Sequence, residues 1–159
     1  MRIVVMSDSH GDFAQAEKIV RKNLGHCDMF IHLGDGERDV DRLRTAYPNL
    51  DIRHVKGNCD YGDESPSAAV VTAGGVRIFC THGHRYNVKS GLDILCENAR
   101  NNDCRIALFG HTHSRLETVY GGIFVLNPGS CACPRDGNKP SFGTIEIVSG
   151  KIVTGIFEV

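Results

Sequence analysis

The sequence predicts a layered α/β domain, with two mixed sheets face to face and helices outside. Three observations carry this reading. Short apolar runs alternate with segments of helical periodicity in the first part of the chain. β signals dominate after the last helical segment. Polar side chains suited to a site follow several apolar runs, as they do where strands of a buried sheet end at one rim.

Taken in order, residues 2–7 form an apolar strand. Asp12 is placed to cap a helix in which Phe13, Ala16, Ile19, Val20 and Leu24 recur at helical spacing, with Gly25 as the stop. Residues 28–33 make the second strand. A short charged helix near 38–46 turns Val40 and Leu43 inward and ends before Pro48. Residues 51–55 make a third strand, and the polar, turn-rich segment 56–66 reads as a loop at the rim. Strands at 68–73 and 76–81 meet at Gly74-Gly75, a dipeptide suited to a tight hairpin. A helix over 89–101 carries Leu92, Leu95, Cys96 and Ala99 at i, i+3, i+4 and i+7. Strands follow at 105–109, 115–120 and 122–127, then a loop holding Asn127-Pro128-Gly129-Ser130. A hairpin of 142–148 and 151–157 turns at Ser149-Gly150. No linker, repeat or low-complexity segment interrupts this order, so residues 1–159 are expected to form a single domain.

Composition narrows the function. Hydrophobic residues at 41% and charged residues at 23% are ordinary for a soluble globular chain. A formal net charge of -1 gives no electrostatic case for nucleic acid or an anionic membrane as the main partner. With no Trp there is little material for base stacking. No apolar stretch approaches the roughly 20 residues of a membrane span, and no signal-peptide pattern precedes the first strand, so the cytoplasm is the expected location. The seven cysteines are odd in number and lack a Cys-x-x-Cys, which argues against a disulfide framework. Cys80 and Cys96 read as small core residues, and Cys131-Ala132-Cys133 lacks the second pair a structural zinc site would need.

The chemistry lies in seven residues past strand ends: Asp8, His10, Asp35, Asn58, His82, His111 and His113. Four imidazoles, two carboxylates and an amide oxygen suit divalent transition metals, and they are too many for one ion. The donor set favours Mn2+, Fe2+, Zn2+ or Ni2+ over Ca2+ or Mg2+, with Mn2+ placed first. A carboxylate has two oxygens and can serve two cations at once.

The series Asp8-x-His10, Gly34-Asp35, Gly57-Asn58, His82-Gly83 and Gly110-His111-x-His113, in this order, resembles the calcineurin-like metallophosphoesterase superfamily. Gly57-Asn58-Cys59-Asp60 and the compact length resemble its small YfcE-like phosphodiesterase branch. The resemblance implies a four-layer α/β/β/α sandwich and two metals at the ends of the central strands. It puts Asp8, His10, Asp35 and His113 on one ion, and Asp35, Asn58, His82 and His111 on the other. It also implies attack on phosphorus by a hydroxide bridging the pair. Larger relatives carry histidine after the Gly-Asn pair, in a role at the leaving group. Cys59 stands there in this chain and is a poor proton donor, so a small phosphodiester with a good leaving group is the expected substrate.

Plainer roles are expected elsewhere. His26, His32 and His54 read as surface or hydrogen-bonding residues, His84 as a neighbour of the site, and Asp12 as a cap. Asp60 shapes its loop, Asn127-Pro128-Gly129-Ser130 is a turn of type II order, and Arg135 is a solvated cation. The apolar final hairpin (Ile145, Ile147, Ile152, Val153, Ile156) supplies either core or the interface of a homo-oligomer. Two other classes compete with the enzyme reading: a protein-interaction scaffold like the retromer subunit of this fold, and a metal-dependent nuclease.

Overall fold

In β1 (Arg2–Met6) every residue after the first is buried, the mark of a strand covered on both faces. The structure is a computed structural model describing residues 1–159. β1 pairs in parallel with β2 (Met29–His32), which pairs in parallel with β3 (Ile52–His54). The connections are α1 (Phe13–Asn23) and α2 (Glu37–Ala46). On its other side β1 meets β9 (Ser141–Val148) antiparallel, and β10 (Lys151–Glu158) completes this sheet in the order β10-β9-β1-β2-β3. The second sheet holds β4 (Ala68–Ala73), β5 (Val76–Thr81), β6 (Ile106–Leu108), β7 (Arg115–Tyr120) and β8 (Ile123–Pro128), in the order β4-β5-β6-β8-β7. α3 (Asp93–Asn101) connects β5 to β6.

Side chains alternate across the strands and divide the apolar residues into layers. Ile3, Val5 and Ile31 of the first sheet meet Ile78, Cys80, Ile106 and Leu108 of the second in the central core. Val4, Met6 and Phe30 point the other way, onto Ala16, Ile19 and Val20 of α1 and Val40 and Leu43 of α2. Phe79, Ala107 and Val125 cover Leu95, Cys96 and Ala99 of α3. The result is the expected α/β/β/α sandwich. No helix is long and apolar enough to cross a membrane.

Local differences have physical reasons. α3 begins at Asp93, four residues later than its periodicity predicts, because a turn closed by Ser90 N donating to Asn87 O at 2.9 Å, and Gly91 at φ 159°, occupy the approach. Leu92 still packs on the core from just outside the helix. Leu24 is 49% exposed instead of inward, since α1 ends at Asn23 and the chain turns away. Asp12 caps α1 through an acceptor bond from Gln15 N at 3.2 Å. Cys80 and Cys96 are buried among apolar side chains as expected, and Cys131 joins them while Cys133 is exposed.

Candidate metal centre

Strands β1, β2 and β3 run parallel, so their C-terminal ends deliver Asp8, Asp35 and Asn58 to one rim of the first sheet. β5 and β6 deliver His82, His111 and His113 from the second sheet. The rims meet directly: His82 Nδ1 lies 2.8 Å from Leu33 O, at the end of β2.

The backbone is shaped for this site. Five of the eight non-glycine residues at positive φ are Asp8, His10, Asp35, His111 and His113. Left-handed backbone is uncommon for non-glycine residues and clusters where function demands it. The loops also approach too closely for side chains. A Cβ on Gly57 would stand 2.0 Å from Asp35 Oδ1, and one on Gly110 would stand 2.0 Å from Ser7 Oγ.

Three sets of metal-binding atoms converge: Asp8 with His10 and His113, Asp8 with Asp35 and His82, and His10 with Asp35 and Cys59. His113 Nε2 is 3.2 Å from Asp8 Oδ1 and 3.1 Å from His10 Nε2. His82 Nε2 is 3.4 Å from Asp35 Oδ2, 3.9 Å from Asp8 Oδ1 and 3.2 Å from Asn58 Oδ1. Asp8 thus spans two sets, as does Asp35. His111 stands outside these sets, its ring 5.1 Å from that of His82 between centroids. His84 adjoins both rings, at 5.4 Å from His82 and 6.1 Å from His111.

These residues fit a bound cation on their own chemistry. Asp8 Oδ1 is buried without a hydrogen-bond partner, although buried carboxylate oxygens are rarely left so. Its other oxygen accepts from Ser7 Oγ at 2.6 Å and His111 N at 3.1 Å, which fixes the carboxylate. His113 Nδ1 donates to Cys133 O at 2.7 Å and His82 Nδ1 to Leu33 O, so both Nε2 atoms turn their lone pairs inward.

Electrostatics agree. Burial opposes charge on Asp8, but His113, His82 and the Ser7 hydroxyl outweigh it and hold its carboxyl below the ordinary range. Asp35 is also held low, with desolvation overcome by His82 and the Cys59 amide. Burial would lower His82, yet Asp35 and Asp8 raise it; Asp8 chiefly raises His113. His111 is instead pushed down to about 4 by desolvation and by neighbouring His82 and Lys89. Two acids and two bases thus attract one another across a gap where a cation would replace the protons.

Residues 1–150 match the model of the calcineurin-like phosphoesterase superfamily domain. The chain belongs to this superfamily. It is 32% identical to the probable metallophosphoesterase YsnB of Bacillus subtilis, over 92% of this chain and 85% of that protein. It is 27% identical to the phosphodiesterase YfcE of Escherichia coli, over 92% and 88%. A solved Streptococcus pneumoniae protein described as a predicted phosphoesterase superposes with a TM-score of 0.87 at 32% identity, over 99% of this chain and 88% of that one. Vps29 of Entamoeba histolytica, solved with Zn2+, shares the fold at a TM-score of 0.74 and 24% identity, over 99% and 98%. These likenesses support the YfcE-like branch and a metal-dependent phosphoesterase, hence a hydrolase.

His32 is the hydrogen-bonding residue expected, and both it and His54 are buried. His32 Nδ1 accepts from Gly34 N at 3.2 Å and its Nε2 meets Ser9 Oγ at 3.1 Å; Ser9 in turn donates to Asp39 at 2.6 Å. Burial, with His54 beside it, pushes His32 down to about 3 and keeps the ring neutral. His54 lies between Asp63 at 3.6 Å and Asp60 at 3.8 Å. Asp60 does more than shape its own loop, since it accepts from Asp35 N, Gly36 N and Glu37 N as well as Gly57 N. Asn127 and Pro128 end β8 instead of opening the expected turn; Asn127 donates to Gly110 O and Thr112 Oγ1, and Ser130 to Asp8 O, so the segment 127–130 supports the site. Their only sequence signal is the Asn-Pro-Gly-Ser run itself. Arg135 is exposed, and its amide accepts no role beyond donating to His113 O.

Proposed function

We propose that the chain is a single-domain phosphodiesterase hydrolysing small phosphodiesters at a centre of two divalent transition-metal ions, with Mn2+ preferred. The observation that carries this reading is the overlap of three donor sets sharing Asp8 and Asp35, around a buried carboxylate oxygen with no hydrogen bond. Asp8, His10, Asp35 and His113 would hold one ion, and Asp35, Asn58, His82 and His111 the other. Bound there, the ions would supply an activated water for attack on phosphorus and neutralise charge on the phosphoryl oxygens.

The protein's own groups set the rest. Cys133 O and Leu33 O fix the tautomers of His113 and His82, and the Cys59 amide holds Asp35 Oδ1 at 2.8 Å. The Cys59 thiol is pushed up to about 11 by partial desolvation and by the Asp35 carboxylate, so it stays protonated and is a weak acid at neutral pH. It gives little help to a departing alkoxide, which supports substrates whose leaving groups depart as stable anions. The Vps29 likeness favours a scaffold instead, but the full donor set argues for catalysis.

The test is reconstitution of the apoprotein with Mn2+, Ni2+, Zn2+, Fe2+ or Mg2+, followed by rates on bis(p-nitrophenyl) phosphate and on alkyl monoesters. Two ions per chain and a strong preference for the aryl diester are expected. Absence of bound metal, or a preference for alkyl monoesters, refutes the proposal.

A further inference from the structure

Adjoining the donor sets lies a hollow of about 340 Å3, lined by His10, Asp35 and Cys59, by the start of α2 and by Tyr61. That volume is at the small end of ligand-binding cavities and holds one compact group, not a polymer. Its acidic wall residues differ in how they are engaged. Asp60 spends both oxygens on four backbone amides, and Asp39 accepts from Ser9 Oγ and Gly11 N. Glu37, Arg38 and Tyr61 make no side-chain hydrogen bond or ion pair in the protein. Tyr61 is 89% exposed, a ring held out at the mouth with nothing packed on it.

We infer that this hollow binds one organic arm of the diester, and that the arm is an uncharged, hydroxyl-bearing group with a flat ring, of nucleoside size. The inference rests on the phosphodiesterase reading and names its substrate class. Tyr61 offers a face for stacking, which alanine substitution elsewhere values at about 1–3 kcal/mol per base. Glu37 accepts from hydroxyls and Arg38 donates to ring or sugar acceptors. Away from the ions the lining charge weighs against an anionic arm, since Glu37, Asp39 and Asp60 share the hollow with a single guanidinium, Arg38. A second phosphate or carboxylate entering there would meet like charge in a partly enclosed space.

The experiment compares three p-nitrophenyl diesters on the metal-loaded enzyme, with methyl, thymidine or carboxyphenyl as the second arm. Thymidine itself is titrated into the metal-free protein by NMR. Wild type should show a lower KM for the thymidine ester than for the methyl ester, and the carboxyphenyl ester should be the poorest. Y61A should raise the thymidine KM about tenfold relative to the methyl KM, the size of one lost stacking contact. E37Q should improve kcat/KM for the carboxyphenyl ester by about threefold, as expected on removing one nearby charge across a partly solvated gap. Thymidine should shift the resonances of Tyr61 in wild type. Turnover of the methyl ester with a thymidine KM unmoved by Y61A overturns the hollow as the arm site and leaves the phosphodiesterase reading standing. Failure to turn over any of the three esters overturns both.

Discussion

Replacing Asp60 should separate the support of the metal centre from its ligands. Its carboxylate accepts four backbone N–H groups: Asp35 at 2.8 Å, Gly36 at 2.9 Å, Glu37 at 3.0 Å and Gly57 at 2.8 Å. Two loops, one after β2 and one after β3, are thereby tied to a single side chain that is 5% exposed. A hydrogen bond to a charged acceptor is worth about 1.5–3 kcal/mol, but the four share one group and are not additive. Water entering from the adjoining hollow would satisfy part of the loss, so D60A should cost about 3–5 kcal/mol, in the range of a broken buried charged network. For a chain of this size that is a fall in Tm of about 10 °C. D60N keeps one oxygen for two of the N–H groups and should lose about half as much. D41A, at an exposed helix pair, should stay within about 0.5 kcal/mol.

Acidity gives an independent check. Burial opposes charge on Asp60, yet His54 and the amides of Glu37, Gly57 and Asp35 hold its carboxyl well below the usual range. Its folded pKa is therefore depressed, and its contribution is present above about pH 4, the unfolded value, and lost as pH falls toward the folded one. Urea melts of wild type, D60N and D60A between pH 3 and 7, with Mn2+ titrations at pH 7, measure both effects. D60A within 1 kcal/mol of wild type, with unchanged metal affinity, would refute the argument.

Other predictions concern the ligands and their neighbours. D35N should lose metal and turnover together, because a neutral amide cannot hold two dications; elemental analysis finding two ions with full activity would sink the assignment. H82A should weaken metal binding far more than H26A, which alters an exposed ring; calorimetric titration of both decides it. His32 titrates near 6.5 when unfolded and near 3 when folded, so the unfolded chain takes up a proton first and stability should fall as pH drops through that window, by about 1.4 kcal/mol per unit. H32Q should remove this slope in acid melts. C59H should narrow the preference for aryl over alkyl esters, which the lack of a general acid at this position widens by about 10²–10⁴. Steady-state rates on matched pairs test it, and an unchanged ratio in a folded variant counts against the role of this position.

The strands, and the candidate residues that their ends bring together, were legible because their signals are local. A run such as Ile3–Met6 followed by Asp8 states both the strand and the direction of its end, and the hairpin at Gly74-Gly75 falls where the dipeptide puts it. The support of the site was not legible, since it is made by pairs far apart in sequence. Asp60 reaches Asp35, Ser130 reaches Asp8, and Asn127 reaches Gly110. Nothing local marks Asp60 as an acceptor for a loop of another strand. The burial of His32 was hidden for the same reason, since its partner Ser9, and the Asp39 that Ser9 meets, lie elsewhere in the chain. The start of α3 was read early because Leu92 keeps helical spacing while lying outside the helix.

The division of donors between the sheets has a mechanical consequence. Asp8, His10, Asp35 and Asn58 belong to one sheet, and His82, His111 and His113 to the other. Ions shared between them would act as rivets across the seam, at the end where the central apolar core gives way to polar loops. Such rivets would tie the loops after β1 and β2 to each other and both to the second sheet, so part of the energy of metal binding becomes resistance to the two sheets sliding or opening at that rim. Amides at the ends of β2 and β5 should therefore exchange with solvent faster once metal is removed, while those of β10, far from the seam's polar end in sheet order, keep their rates.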